Sequence, residues 1–269
     1  MASNIALLFI MAIGPVFAAA PTHVATTNFA ERLFRVGSEI FGKLEWKVPL
    51  VIRGYNVWKE LNTFETLSVG ASTSHLADGY SILSQSQLHL SCCWWMLKVI
   101  GAKGYGLESN DPDAIFELRI SFLEDPRFES LRRYLEGRLG WRQPLAGGGD
   151  APLNAARNLL KAVVMRAQAV CTTPQTCVDG NAYAKFNGDV AKGVVLDDAG
   201  AMHTADALHI WGWGCRPCVL AGDPTQPQPV FVKTHERYRE GQCMNIFSKY
   251  GKLSVLKRVE RVGWPCFEV

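Results

Sequence analysis

The sequence has no apolar run long enough to cross a membrane as a helix. The apolar stretch near its start covers residues 5–20 and is broken by Gly14 and Pro15. A spanning helix needs about 20 apolar residues. Internal repeats and low-complexity tracts are also missing, and the 48% hydrophobic content excludes wholesale disorder. We therefore expect a globular protein without a membrane segment.

The net charge of the chain is small, because basic and acidic residues nearly balance. The chain has 269 residues, and its 28 Lys and Arg against 25 Asp and Glu leave a formal net charge of +3. So small a basic excess gives only weak support for a nucleic-acid partner. The length and apolar content allow a buried core in one large domain or two small ones.

Eight cysteines are present, but most of them lie in apolar runs such as residues 168–173 and 216–222. Free cysteine in such a run behaves as a small buried apolar residue. We therefore expect reduced thiols and an intracellular protein, in the cytoplasm or nucleus. The alternative is a secreted protein whose first 20 residues are a signal peptide. No Lys or Arg precedes that apolar stretch, and a buried strand over residues 16–20 competes for the same residues.

Short apolar runs without polar alternation predict strands, and the segments between them predict helices. The strands are predicted at 16–20, 48–52, 167–172, 193–197 and 217–221, and the helices at 28–41, 153–165, 203–211 and 253–262. Such strands separated by helices are typical of a parallel sheet covered on both faces. The predicted fold class is a three-layer α/β fold.

Residues 60–150 have a different, helical pattern. Asp125 suits a helix cap and Pro126 the first helical position, with Phe128, Leu131, Leu135 and Leu139 following at helical spacing. A glycine-rich linker at residues 144–152 ends this region. We predict a helical insertion at 60–150 between the two sheet-forming parts of the domain, residues 1–59 and 151–269.

Two carboxylates, Asp197 and Asp198, stand at the end of a predicted strand. Ligands of open parallel sheets bind beyond the carboxyl ends of the strands. One carboxylate there can hold Mg²⁺ and bridge it to a phosphate, and its neighbour can polarise an attacking water. The alternative is a solvent-facing acidic turn. The next predicted strand also ends in polar residues, with Gly222 and Asp223 followed by Gln226, whose amide can hydrogen-bond a terminal phosphate.

Four segments together resemble superfamily 1 helicases, in the branch of the nonsense-mediated-decay RNA helicase and its fungal relatives. "VVLDDAGAMH" at 194–203 is similar to the DEAA/DEAG box, and "CVLAGDPTQPQP" at 218–229 is similar to the GDxxQLPP box. "AAAPTHVATTNFAERL" at 18–33 resembles the APTN-x-A segment, and "AVCTTPQT" at 169–176 resembles the V-x-x-TT segment that faces nucleic acid. Their order and spacing match that family.

This resemblance implies a RecA-like fold of the P-loop NTPase type, with ATP and Mg²⁺ as cofactors and single-stranded RNA or DNA as partner. Asp197 would be the metal-associated acid, Asp198 would stand in for the glutamate base, and Gln226 would sense the γ-phosphate. Gly222 and Asp223 would shape the cofactor loop. Pro21, Thr22, Thr172 and Thr173 would line the face where the phosphodiester backbone lies.

The sequence also departs from the family. It contains no G-x-x-x-x-G-K-[ST] loop, which cradles the β- and γ-phosphates. Asp198 is one methylene shorter than the family's glutamate, and the boxes of a second RecA-like domain do not follow. We therefore expect a truncated or degenerate helicase-like ATPase domain, unless a second chain or domain supplies the missing parts. The alternative is a non-catalytic module that binds nucleic acid or a protein partner.

Three further patterns favour structural roles. Cys215 and Cys218 form a C-x-x-C without a second ligand pair nearby, as a zinc site would need. His203, Asp206 and His209 are better explained as an ordinary helix surface. The apolar cluster at residues 92–96 predicts core packing.

Overall fold

A sheet of five parallel strands, in the order β2-β3-β1-β4-β5, organises the part of the chain that the computed structural model describes. That part is residues 1–69, 82–146, 148–179, 181–212, 214–230, 236–242, 244–245 and 251–267. The strands are β1 Val16–Ala19, β2 Val51–Arg53, β3 Ala169–Thr172, β4 Gly193–Leu196 and β5 Cys218–Leu220. β1 is the central strand and pairs with β3 on one side and β4 on the other. We call the edge where all strands end the carboxyl edge.

Helices fill the connections between the strands. They are α1 Ala2–Ala12, α2 His23–Lys43, α3 Val57–Ser68, α4 Gln85–Leu88, α5 Cys92–Ile100, α6 Asp113–Glu124, α7 Glu129–Leu135, α8 Pro152–Met165, α9 Pro174–Asp179, α10 Asn181–Lys185, α11 Thr204–Trp211 and α12 Val255–Arg261. A π-helical turn, Phe186–Val190, continues α10. The protein thus has an α/β fold, as predicted.

The strand order explains how the helices cover the sheet. Crossovers between parallel strands are right-handed as a rule, so the direction of each step along the sheet decides which face its helix covers. The step from β1 to β2 runs opposite to the three later steps, which places α2 on one face and α8 and α11 on the other. α1 packs against α2. Every residue of β1 to β4 is buried, as expected for strands covered on both faces.

Five predicted strands are present: four lie within their predicted bounds, and β2, predicted at 48–52, is displaced to Val51–Arg53. The predicted start of α2 is wrong. The helix begins at His23, five positions before Asn28. Thr22 is its N-cap residue, and its Oγ1 accepts a hydrogen bond from the N–H of Ala25 at 3.1 Å. β1 ends at Ala19, so Thr22 is the first capping residue that the chain reaches beyond the sheet.

The described part of the region between β2 and β3 consists of helices joined by loops and shares one apolar core with the sheet. Trp95 is fully buried and donates its indole N–H to the carbonyl of Val51 in β2 at 2.9 Å. Asp125 caps a 3₁₀ turn, Pro126–Phe128, and the following helix ends at Leu135. Residues 70–81 of the predicted insertion, and residue 147 of the predicted linker, lie outside the described residues.

The predicted packing role of residues 92–96 is confirmed for Cys92, Cys93, Trp95 and Met96, which are fully buried. Across the described ranges, no helix combines the length and the apolar character needed to span a bilayer.

Candidate functional site

Asp197 lies at the carboxyl edge, immediately after β4. Its N–H donates to the carbonyl of Ala19 at 2.9 Å, which ties the loop to the central strand. Burial raises the pKa of the Asp197 carboxyl, and the neighbouring Asp198 carboxylate acts in the same direction. The N–H of Asp198, the Arg32 guanidinium and the amino group of Met1 act to lower it. A half-buried carboxylate with cations close by suits an electrostatic role.

Asp198 has a left-handed backbone, with a φ of 54°. This region is uncommon for residues other than glycine, although Asp tolerates it better than most. The carbonyl of Asp198 accepts the N–H of Ala201 at 3.0 Å, so the chain turns sharply here. The left-handed residue thus shapes the turn that follows β4.

The loops after β4 and β5 touch backbone to backbone. The N–H of Ala199 donates to the carbonyl of Ala221 at 2.9 Å. A Cβ added to Gly200 would lie 2.4 Å from the carbonyl oxygen of Asp223, and one added to Gly222 would lie 2.7 Å from the nitrogen of Gly200. Only glycine permits this approach at both positions. It brings the Asp197 loop and the Gln226 loop together at one edge.

The second loop is shaped by Asp223. Its carboxylate accepts hydrogen bonds from the hydroxyl and the N–H of Thr225, at 2.6 and 2.7 Å. These bonds lower the pKa of Asp223, the hydroxyl bond more than the N–H bond. The N–H of Gln226 donates to the carbonyl of Asp223 at 3.2 Å, and the Gln226 residue is exposed. Asp223 therefore orders the loop, and the Gln226 amide remains available to solvent or to a ligand.

The residues predicted to line the nucleic-acid face divide into two pairs. Pro21 is half-buried and Thr22 is exposed, both just beyond β1. Thr172 ends β3 and Thr173 follows it, and both residues are buried. The Thr173 hydroxyl pairs with that of Thr176 at 2.9 Å. This burial does not favour the prediction that Thr172 and Thr173 line the face where the phosphodiester backbone lies.

Arg53, which the sequence reasoning missed, ends strand β2 at the carboxyl edge with 1% of its surface exposed. Its Nε donates to the hydroxyl of Thr27 at 3.2 Å, and its Nη2 lies 3.0 Å from Nδ1 of His23. The guanidinium lies over the ring of Tyr55, 4.2 Å from the ring centroid. Among the described residues, no carboxylate forms an ion pair with it. The sequence did contain a signal for this residue, since Arg53 is a charged residue at the end of an apolar run, directly before Gly54.

Trp58 adds an exposed aromatic side chain at the start of α3, which follows β2. The N–H groups of Trp58 and Lys59 are capped by the side-chain oxygen of Asn56, at 3.0 and 3.4 Å. The Arg157 guanidinium lies 4.4 Å from the centroid of the Trp58 ring. An exposed indole beside a cation is a common arrangement on surfaces that stack nucleobases.

Glu60 is a fully buried carboxyl behind this edge. Its Oε1 accepts the N–H of Tyr55 at 3.1 Å and the hydroxyl of Tyr183 at 3.3 Å, and its Oε2 accepts the N–H of Cys93 at 2.8 Å. Burial raises the pKa of Glu60 to about 7, although these donors pull it down. Glu60 thus ties the β2 loop to α5 and α10.

Glu60 gives the fold a predicted pH dependence. In the unfolded chain the carboxyl titrates near 4.5, whereas in the folded chain it titrates near 7, so the folded state holds the proton more tightly. The contribution of Glu60 to the free energy of unfolding is therefore fully present below pH 4.5 and falls as pH rises to 7. We expect a loss of about 2 kcal/mol between pH 5 and 7.

Urea unfolding at a series of pH values measures this loss, with Glu60→Gln as the reference. The amide does not titrate, so its curve should lack this part of the slope even if its overall stability is lower. Equal slopes for the two proteins would contradict a raised pKa at Glu60.

The donor set at Asp197 and Asp198 fits a hydrated Mg²⁺. Magnesium keeps several waters and is commonly bound by one or two carboxylates together with substrate phosphates. Within the described ranges, no group of three or more His, Cys, Asp or Glu side chains is placed to hold a metal ion. His203, Asp206 and His209 are among the residues that this finding covers. The phosphates of ATP fit less well, because the chain contains no G-x-x-x-x-G-K-[ST] loop to cradle them.

Comparison with known proteins does not assign a family: no protein-family model matches the chain, and no curated protein matches it either.

Proposed function

We propose that this chain is a RecA-like domain of the superfamily 1 helicase type, which binds single-stranded RNA or DNA and does not hydrolyse ATP by itself. The observation that carries the proposal is the contact between the loops after β4 and β5. Through Gly200 and Gly222, that contact brings the acidic pair and the Gln226 loop to one edge of a parallel sheet. The resemblance of four sequence segments to superfamily 1 helicases agrees with this arrangement. The proposed location is intracellular.

Nucleic acid would lie along the carboxyl edge, over the ends of β1 and β2. Thr22 and the N–H groups at the start of α2 would contact phosphate oxygens without reading sequence. Trp58 would stack on a base, a contact that every base can make. This combination favours single strands, whose bases are free to leave the stack.

At the other half of the edge, Asp197 and Asp198 would hold Mg²⁺ through its waters, and Gln226 would hydrogen-bond a terminal phosphate. A bound Mg²⁺ would neutralise charge on the phosphates. Hydrolysis is not proposed, since the chain has no phosphate cradle and Asp198 reaches less far than a glutamate. A second chain or domain would have to supply those parts.

Binding of a fluorescent 20-nucleotide oligouridylate, followed by anisotropy at two salt concentrations, tests the proposal. We expect affinity that falls with salt, and a loss of about 5- to 100-fold for Trp58→Ala. Trp46→Ala is the matched control, because Trp46 is 54% exposed and Trp58 is 52% exposed. Trp46 follows the end of α2, so it lies near the opposite edge of the sheet.

Equal losses for the two tryptophan variants, or no binding by the wild-type chain, would contradict the proposal. The proposal also states that the chain does not hydrolyse ATP by itself. ATP turnover that the RNA stimulates and that Asp197→Asn abolishes would contradict that statement.

A further inference from the structure

His23 is the first residue of α2 and stands beside Arg53 at the carboxyl edge. Nδ1 of His23 lies 3.0 Å from Nη2 of Arg53, and the same Nη2 lies 3.5 Å from the carbonyl oxygen of His23. The imidazole stacks on the Tyr55 ring, with centroids 6.2 Å apart and planes 17° apart. Arg53 lies on the same ring, and Thr27 bonds both Arg53 and the Tyr55 hydroxyl. The imidazole is therefore held from two sides.

The contact with Arg53 determines which nitrogen of the imidazole carries the hydrogen. A guanidinium has only N–H donors and stays protonated in proteins, so Nδ1 of His23 has to accept. The neutral imidazole then carries its hydrogen on Nε2. His23 is exposed, and within the described part of the chain its Nε2 has no hydrogen-bond partner. The result is an N–H donor of fixed tautomer at the edge of the sheet.

We infer that Arg53 is a positioning residue that holds His23 as a neutral Nε2–H donor to a phosphate oxygen of single-stranded nucleic acid. This inference rests on the proposed function and adds to it a named contact and its protonation state. Arg53 itself is 1% exposed, so it acts through His23 and does not reach the phosphate.

The surroundings of His23 keep it neutral. Partial burial of the imidazole lowers the pKa of His23, and the charges of Arg53 in β2 and Lys59 in α3 lower it further. Tyr55 stacks on the imidazole, and Glu60 is fully buried, where its charge acts on Arg53. Protonation at Nδ1 would break the bond to Arg53 and set two cations against each other. The phosphate contact should therefore keep the same strength from pH 7.5 down to about pH 6, where an ordinary exposed histidine gains charge.

Nitrogen-15 NMR of the full chain, labelled at its histidines, distinguishes the two tautomers of His23 directly. We expect the Nε2–H pattern for His23 and a titration midpoint below the ordinary value for a histidine. Arg53→Met should give a mixture of tautomers and move the midpoint upward. Because a change at a buried arginine can prevent folding, His23→Gln and His23→Leu provide a second test that leaves Arg53 in place.

Glutamine can accept from Arg53 through Oε1 and donate through Nε2, whereas leucine can do neither. We expect oligouridylate affinity within about twofold of wild type for His23→Gln and a loss of about tenfold for His23→Leu, in the range of one hydrogen bond to a charged group. The ratio of wild-type to His23→Leu affinity should not change between pH 6 and 7.5. An Nδ1–H tautomer, or a ratio that rises as pH falls, would overturn the positioning by Arg53.

Failure of this inference and failure of the proposed function can be told apart. Oligouridylate binding that His23→Leu leaves unchanged would overturn the phosphate contact alone. Absence of binding by the wild-type chain would overturn the proposed function, and with it the ligand assigned to His23.

Discussion

A Phe17→Asp variant is expected to be unable to fold. Phe17 is fully buried in β1, the central strand, and its ring lies 6.4 Å from that of Phe186 in the helical layer. Loss of a buried phenylalanine side chain alone costs about 3–5 kcal/mol. An unpaired buried carboxylate adds a further penalty, and a domain has only about 5–15 kcal/mol of stability in total. Circular dichroism should show no cooperative thermal transition.

Leu8→Asp is the matched control, because it introduces the same charge on α1 at a side chain that is 62% exposed. It should melt close to the wild-type temperature. A cooperative transition for Phe17→Asp near that of the control would show that β1 is not part of the stable core. The pair also bears on the secretory alternative, since removing residues 1–20 would remove the strand that joins β3 to β4.

The strands were predictable from the sequence because each is a short run of apolar residues without alternation. Residues 193–196 and 169–172 needed no tertiary information to be recognised as buried strands. The order of the strands did require the structure. β2 lies at one end of the sheet, two positions from β1, with β3 between them. Nothing local in the sequence encodes that step.

The end of β1 shows why helix boundaries are harder to predict. Thr22, Thr26, Thr27 and Asn28 are all residue types that cap helices, so the local pattern leaves the start of α2 open. Thr26 instead donates its hydroxyl to the carbonyl of Thr22 at 2.8 Å from inside the helix. The N-cap of α2 is set by where β1 ends, and the end of that strand depends on tertiary contacts.

The candidate site was half predictable for a related reason. Asp197 and Gln226 follow two strands that run in the same direction, so a parallel sheet places their loops at one edge. His23, Arg53 and Tyr55 form a cluster only through the pairing of distant segments, and no residue spacing reveals that His23 meets Arg53. The burial of Thr172 and Thr173 likewise depends on what packs against the faces of the sheet at the end of β3, which is a tertiary property.

A Gly200→Ala substitution should separate the two loops of the proposed nucleotide site. The new Cβ would lie 2.4 Å from the carbonyl oxygen of Asp223, which belongs to the backbone and cannot rotate away. Overpacking of this kind costs about 3 kcal/mol. The expected result is a lower melting temperature together with faster hydrogen exchange at the Ala199 amide, because its bond to Ala221 would be lost.

Gly106→Ala is the control for that substitution, since a Cβ at Gly106 meets nothing within 4 Å. It should change neither the melting temperature nor the exchange at Ala199. Gly222→Ala should reproduce the effect of Gly200→Ala from the other side, where the nearest atom is the Gly200 nitrogen at 2.7 Å. Normal exchange at Ala199 in both loop variants would mean that the loops do not need this contact. The acidic pair and Gln226 would then lack the fixed relation on which a shared phosphate site depends.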